Sequence, residues 1–139
     1  MHWIWSEYGE LPEEARHIRV EVFTEEQGFC QEFDDIDSQS YHLLLMDEDQ
    51  AIGTARIFFD ADHTLHIGRV AVRKVRRSGG CGSAVLTACC EKAKQLGAVR
   101  AVLGAQCRAM KFYEKNGFAA FGDLYDDEGC PHRMMEKRL

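Results

Sequence analysis

VAVRKVRRSGGCGSAVL, from Val70 to Leu86, runs a β-branched strand into a basic, glycine-rich turn and then into the start of a helix. In that order the backbone N–H groups of the turn and the unpaired N–H groups of the helix's first turn converge on one spot, where the helix dipole also favours negative charge. A pyrophosphate fits there. Gly79, Gly80 and Gly82 let the backbone approach phosphate and adopt positive φ, and Arg77 can add a charge-assisted contact.

The helix that follows, SAVLTACCEKAKQLG, begins at Ser83 and carries Val85, Leu86, Cys89, Cys90, Ala93 and Leu96 on one face until Gly97 stops it. RAVLGA then reads as a buried strand, so strand, helix and strand form a crossover with a parallel pair inside a mixed sheet. Upstream, YHLLLM, the polar turn DEDQ and AIGTARIFF make a hairpin, and a turn from Asp60 to Thr64 leads into LHIGRVAV, completing a three-strand meander. In this last strand the apolar parity runs Leu65, Ile67 and then Val70, Val72, a shift that a bulge near Gly68 and Arg69 would absorb. Earlier still, Ala15, Ile18, Arg19, Val22 and Phe23 recur at helical spacing behind Pro12, which predicts a helix from Pro12 to about Phe23. Thr24 and Gln27 have capping-box spacing for a further short turn ending at Gly28. Downstream, RAMKFYEKNG predicts a helix ended by Gly117, and FAAFGDLY with HRMMEKRL two closing strands.

The chain has 139 residues, 45% of them hydrophobic, enough for a single domain, 1–139, with one core. It has no run of about eighteen apolar residues, and its start, MHWIWSEYGE, lacks the basic and apolar regions of an export signal. The expectation is a cytoplasmic protein with no membrane partner. Six cysteines (Cys30, Cys81, Cys89, Cys90, Cys107, Cys130) then read as reduced thiols, and none has the paired spacing of a zinc site, so no metal is expected. A net charge of −6 disfavours a nucleic-acid partner and leaves room for a cationic substrate. Arg69, Arg73, Lys74, Arg76 and Arg77 nevertheless crowd one stretch, while acids gather at 34–37, 47–49 and 123–128, which reads as one basic patch on an acidic protein.

The Walker pattern needs a lysine after its glycines, and the Rossmann pattern wants GxGxxG after a first strand; this turn follows several strands and reads RxxGxG from Arg77 to Gly82. After a V-x-V strand and before a long helix, RxxGxG resembles the acetyl-CoA motif of the GNAT superfamily of acyltransferases. Gln106, Ala109 and FYEKNGF from Phe112 to Phe118 resemble the superfamily's second motif, in the same order. RxxVFxxEQG from Arg19 to Gly28 and GxPHxxM from Gly129 to Met135 are similar to the small ElaA-like and YjcF-like bacterial branch. The chain departs from that pattern at Ser78, where glycine is common, and at Cys130, where an aliphatic residue is usual.

The resemblance implies an α/β (α+β) GNAT fold, a mixed central sheet of about six to seven strands flanked by about four helices. It implies an N-acetyltransferase that moves an acetyl or other acyl group directly from acetyl-CoA to an amine of a small molecule or peptide, without an acyl-enzyme. The cofactor would lie on Val70, Ala71 and Val72 through their backbone, on the turn Arg77, Ser78, Gly79, Gly80, Cys81, Gly82 and Ser83, and on Gln106, Ala109 and Tyr113. Tyr113 matches the tyrosine that protonates the departing thiolate; otherwise it is a core tyrosine. Gln106 stands where an asparagine is usual and would bind the pantetheine amides; otherwise it is a surface side chain. For the general base the candidates are His132, Glu26 and His66: His132 has a suitable pKa, Glu26 can instead bind a cationic substrate, and His66 can simply pack. A CoA-binding module without turnover, and a thiol or zinc protein, are the alternatives from other classes. The final hairpin could pair two chains into a homodimer, and the amine acceptor stays unidentified.

Overall fold

The computed structural model describes residues 1–29 and 33–139, and Cys30, one of the six presumed thiols, lies outside them. In chain order the elements are β1 (His2–Trp5), α1 (Glu13–Arg19), β2 (Tyr41–Asp47), β3 (Gln50–Phe59), β4 (Leu65–Val72), α2 (Cys81–Gln95), β5 (Arg100–Gln106), α3 (Met110–Lys115), β6 (Ala119–Asp127) and β7 (Cys130–Arg138). The strands form one seven-stranded sheet in the order β1-β2-β3-β4-β5-β7-β6. Only β4 and β5 are parallel; every other pair of neighbours is antiparallel.

Helices cover both faces. On one, α2 sets Val85, Leu86, Cys89 and Ala93 against Leu43, Leu45, Ile57, Leu65, Leu103 and Met135. On the other, Ile18, Val22 and Phe23 pack on Ala71. Because both faces are covered, β2 buries Leu43, Leu44 and Leu45 in succession instead of alternating. The meander and the crossover stand where the apolar pattern puts them. In β4 the parity shift is taken up by a bulge: Thr54 pairs with Ala71 and Arg56 with Gly68, so Arg69 and Val70 together oppose Ala55. Arg69 adopts φ 50°. Leu65 and Ile67 thus belong to the α2 core and Ala71 to the α1 side.

Three differences from the sequence reading have physical causes. Pro12 is the N-cap, with ψ 145°, so the helix starts at Glu13. The helix does not stop at Phe23: it widens into a π-helical segment, Val20–Glu26, whose end is closed by the Gly28 N–H donating to the Thr24 carbonyl. The separate turn at Thr24 is absorbed into this extension, which leaves three α-helices among the described residues, one fewer than the resemblance implies. The strand β1, which the sequence reading lacks, has its first three residues exposed and exists because it pairs along β2 from His2↔Met46 to Trp5↔Leu43.

The charged residues are also arranged differently from the sequence reading. Arg73 bonds Glu21, Arg76 bonds Asp47, Arg77 bonds Glu26 and Arg69 bonds Asp34. The basic stretch is therefore a row of ion pairs with distant acids, and not a free cationic patch. Beneath it, Arg19 donates to both oxygens of Asp37 (2.8 and 3.1 Å), and Arg56 donates to Asp37 (2.9 Å) and Asp34 (2.7 Å). Arg19 and Arg56 are only 1% and 4% exposed, so these acids neutralise buried cations.

Candidate active site

The parallel pairing of β4 and β5 lasts for two residue pairs, Leu65↔Ala101 and His66↔Val102. Beyond them the strands part, and a cavity of about 600 Å³ opens between them. Val70 from β4, Gly104 and Gln106 from β5, Ala109 and Tyr113 from the following turn and helix, and Tyr125 and His132 from the last hairpin line it. The wedge follows from topology: a bulged β4 curves away toward the turn at 77–83, while β5 stays straight because β7 pairs it along its whole length.

At the wide end, Ser78 and Gly80 take positive φ, 68° and 82°, and Gly80 is the N-cap of α2 with no side-chain cap. Helix α2 therefore starts at Cys81, two residues before the expected Ser83. The Arg77 N–H donates to the Lys74 carbonyl and that of Ala84 to the Gly80 carbonyl, while the N–H groups from Ser78 to Ser83 have no partner among the described residues and are left to solvent or to an anion. Nothing lies within 4 Å of a Cβ placed on Gly80, whereas one on Gly82 would meet Phe112 Cζ at 2.8 Å. Gly82 makes room for α3, a packing role the glycine-rich pattern alone does not distinguish from phosphate approach. The Cys81 side chain is buried, 4.0 Å from the Met1 sulfur, so only its backbone faces the turn.

Arg77 lies across this end. Its Nε donates to the Val72 carbonyl at 3.0 Å, and its two terminal nitrogens donate to Glu26 at 2.6 and 2.7 Å. That bidentate pair, more than the nearby Lys74 and Arg108 charges, holds the Glu26 carboxyl below its usual range. Glu26 is not among the cavity-lining residues. Gln106 does line the cavity, but its amide is engaged: its Nε2 donates to Gln27 and its Oε1 accepts from Arg108 Nε, both at 2.8 Å.

Tyr113 points into the wedge from α3, stacked edge-on against Phe112 and Phe118 with centroids 5.1 and 6.1 Å apart. Its hydroxyl has no hydrogen-bond partner among the described residues, and burial pushes its pKa up to about 12. It keeps its proton at any working pH, as a donor must. Opposite, His132 Nδ1 lies 2.8 Å from the Cys130 carbonyl. A carbonyl only accepts, so Nδ1 carries a hydrogen, and it is Nε2 that holds the lone pair of the corresponding tautomer. The ring is nearly buried and lies 5.5 Å from that of Tyr125. The third candidate base, His66, is hydrogen-bonded to Asp60 at 2.8 Å and stacked on Phe58. Among the described residues no group of His, Cys, Asp and Glu side chains is arranged to hold a metal.

Tyr125 and Gly104 are absent from the sequence reading. A Cβ on Gly104 would collide with the Tyr125 hydroxyl, so the glycine in mid-strand is what lets that hydroxyl reach the β5 wall of the wedge. The signal was there, since glycine inside RAVLGAQ weakens a strand unless something approaches closely.

A family model described as "Acetyltransferase (GNAT) domain" matches residues 10–139. The chain belongs to the GNAT acetyltransferase family. YjcF of Bacillus subtilis, named an uncharacterized N-acetyltransferase, is 32% identical to this chain over 127 residues, covering 89% of this chain and 90% of that one. The crystal structure of Escherichia coli ElaA superposes with a TM-score of 0.86 at 27% identity, covering 98% of each chain. A GNAT family acetyltransferase from Elizabethkingia anophelis, solved with acetyl-CoA bound, shares the fold with a TM-score of 0.78 at 15% identity, covering 99% of this chain and 97% of that one. As a GNAT domain the chain is an acyltransferase. No helix among the described residues is long and apolar enough to cross a membrane.

Proposed function

We propose that this GNAT domain transfers an acetyl group directly from acetyl-CoA to an amine of a small molecule or peptide. The observation that carries this reading is that one wedge is lined both by a Tyr113 hydroxyl and by a His132 Nε2 that have no hydrogen-bond partner among the described residues, the His132 Nδ1 being held by the Cys130 carbonyl. Acetyl-CoA supplies the acetyl group activated as a thioester. The turn from Arg77 to Ser83 holds its pyrophosphate on backbone N–H groups. The open edge of β4 at Val70, Ala71 and Val72 takes the amide-rich arm, although the Val72 carbonyl is already used by Arg77. Ala109 keeps the wedge wide beside Tyr113, and Gln106, braced by Gln27 and Arg108, retains one N–H for the arm.

Proton transfers remain for the protein. His132 Nε2 removes a proton from the incoming ammonium, and the resulting imidazolium keeps its Nδ1–H on the Cys130 carbonyl. The amine nitrogen then bonds to the thioester carbonyl carbon, the C–S bond breaks, Tyr113 gives its proton to the departing thiolate, and the second proton, shed by the nitrogen as it becomes an amide, restores the Tyr113 phenol. Glu26, bound to Arg77, is not placed to serve as base. Burial of Cys81, Cys89 and Cys90 as apolar core residues supports a reducing compartment, and we place the reaction in the cytoplasm. Thiol release from acetyl-CoA, followed across a panel of amines and peptides with hydrolysis as baseline, tests the reading. Amine-dependent release is expected; release that no amine accelerates refutes it.

A further inference from the structure

Two adjacent residues at the end of the π-helical segment reach opposite walls of the wedge. Glu26 holds Arg77, beyond β4, through two short hydrogen bonds, and Gln27 accepts from Gln106 at the end of β5. The segment thus bridges the mouth of the wedge as a strap between the Arg77 turn and the end of β5. The Arg77 end of the strap is the weaker one, because both partners of that ion pair are about one third exposed. Arg77 presents its two terminal nitrogens to Glu26 end-on, the same fork that a pyrophosphate would take. A carboxylate and a pyrophosphate cannot share that fork without repelling each other.

We propose that Glu26 is a positioning residue that stands in for the cofactor's pyrophosphate: its carboxylate holds the Arg77 guanidinium and is exchanged for phosphate oxygens when acyl-CoA binds. This rests on the reading of the Arg77–Ser83 turn as the pyrophosphate site. Two consequences distinguish a stand-in from a simple brace. A brace lends Arg77 its correct pose, so removing it weakens CoA binding. A stand-in competes, so removing it strengthens CoA binding, and only when Arg77 is present to be competed for. The exchange also dissolves the Arg77 end of the strap, so the mouth widens only after the cofactor has arrived, and acyl-CoA binds before the amine.

Calorimetric titration with CoA, and with pantetheine as a probe that lacks the pyrophosphate, tests this on the parent, Glu26→Gln, Arg77→Gln and the double variant. Expected for Glu26→Gln is CoA binding tighter by about two- to fivefold at low salt, the scale of one exposed ion pair, fading at high salt. Pantetheine affinity stays the same. Arg77→Gln weakens CoA, and adding Glu26→Gln to it changes nothing further. Weaker or unchanged CoA binding in Glu26→Gln, with the fold intact by circular dichroism, overturns the exchange, as does the same gain in the Arg77→Gln background. A parent that binds pantetheine but not CoA, or neither, overturns the pyrophosphate site itself, which is a different failure.

Discussion

Tyr113→Phe separates binding from chemistry in this protein, because the hydroxyl it removes is bonded to nothing among the described residues. The ring keeps its edge-on contacts with Phe112 and Phe118, so the fold should change by no more than about 0.5 kcal/mol. CoA affinity should hold within about twofold, since the hydroxyl is assigned to act only at the sulfur. Loss of a positioned acid lowers a proton-transfer step by about 10² to 10⁴. The measurement is a single-turnover rate of thiol release with the best amine of the panel, because slow product release would hide the step in steady-state kcat. Burial also gives an independent readout. A phenol whose pKa rises from 10.0 to about 12 on folding contributes stability that is fully present below the unfolded value and is lost as pH climbs through the folded one. The parent should therefore lose stability between pH of about 10 and about 12 more steeply than Tyr113→Phe does. A variant with the parent's single-turnover rate, intact fold and unchanged CoA affinity would remove Tyr113 from the chemistry.

His132→Gln removes the Nε2 lone pair while keeping a polar side chain; thiol release should fall by about 10² to 10⁴ and recover as pH is raised and the free amine supplies itself, and a parent-like rate at neutral pH would refute the assignment. Gly82→Ala drives a Cβ to 2.8 Å from Phe112 and should lower stability by about 1–3 kcal/mol in urea unfolding, with partial rescue by Phe112→Leu. Asp37→Ala leaves Arg19 and Arg56 buried without their shared carboxylate and should cost about 3–5 kcal/mol. Burial alone would raise the Asp37 pKa, but the hydrogen bonds and charges of Arg19 and Arg56 outweigh it and hold it below 3.8, so this stability is present above that value and lost as pH falls through the lower folded one. The variant should accordingly be less acid-sensitive than the parent.

The elements that were legible in the sequence are those whose signal is local. The parity shift in LHIGRVAV can only be absorbed by a bulge, and the bulge lies where the shift occurs, at Arg69 and Val70. Glycines at 97 and 117, both at positive φ, end their helices for backbone reasons that need no tertiary partner. What escaped was decided by distant residues. HWIW has no alternation to mark it as a strand, and β1 forms because the edge of β2 offers it a ladder. Helix α1 continues beyond Phe23 because Val22 and Phe23 find Ala71, on the far side of a bulge nearly fifty residues later.

Charge is where sequence and structure part most. Read along the chain, Arg69 to Arg77 is a cationic cluster suited to phosphate, and Asp34 to Asp37 a solvated acidic one. In space each arginine of that cluster meets an acid from another element, and Asp37 is nearly buried between two arginines of its own. Pairing of this kind limits the repulsion that so many cations would otherwise exert on one another. An anion arriving at this mouth therefore has to displace a carboxylate from any guanidinium of the cluster it takes, whereas the backbone N–H groups around Gly80 and the dipole of a fifteen-residue helix behind them are available without exchange. In the pyrophosphate reading proposed for VAVRKVRRSGGCGSAVL, glycine placement thus supplies the part of the anion site that no carboxylate contests, and Arg77 adds its contact by exchange.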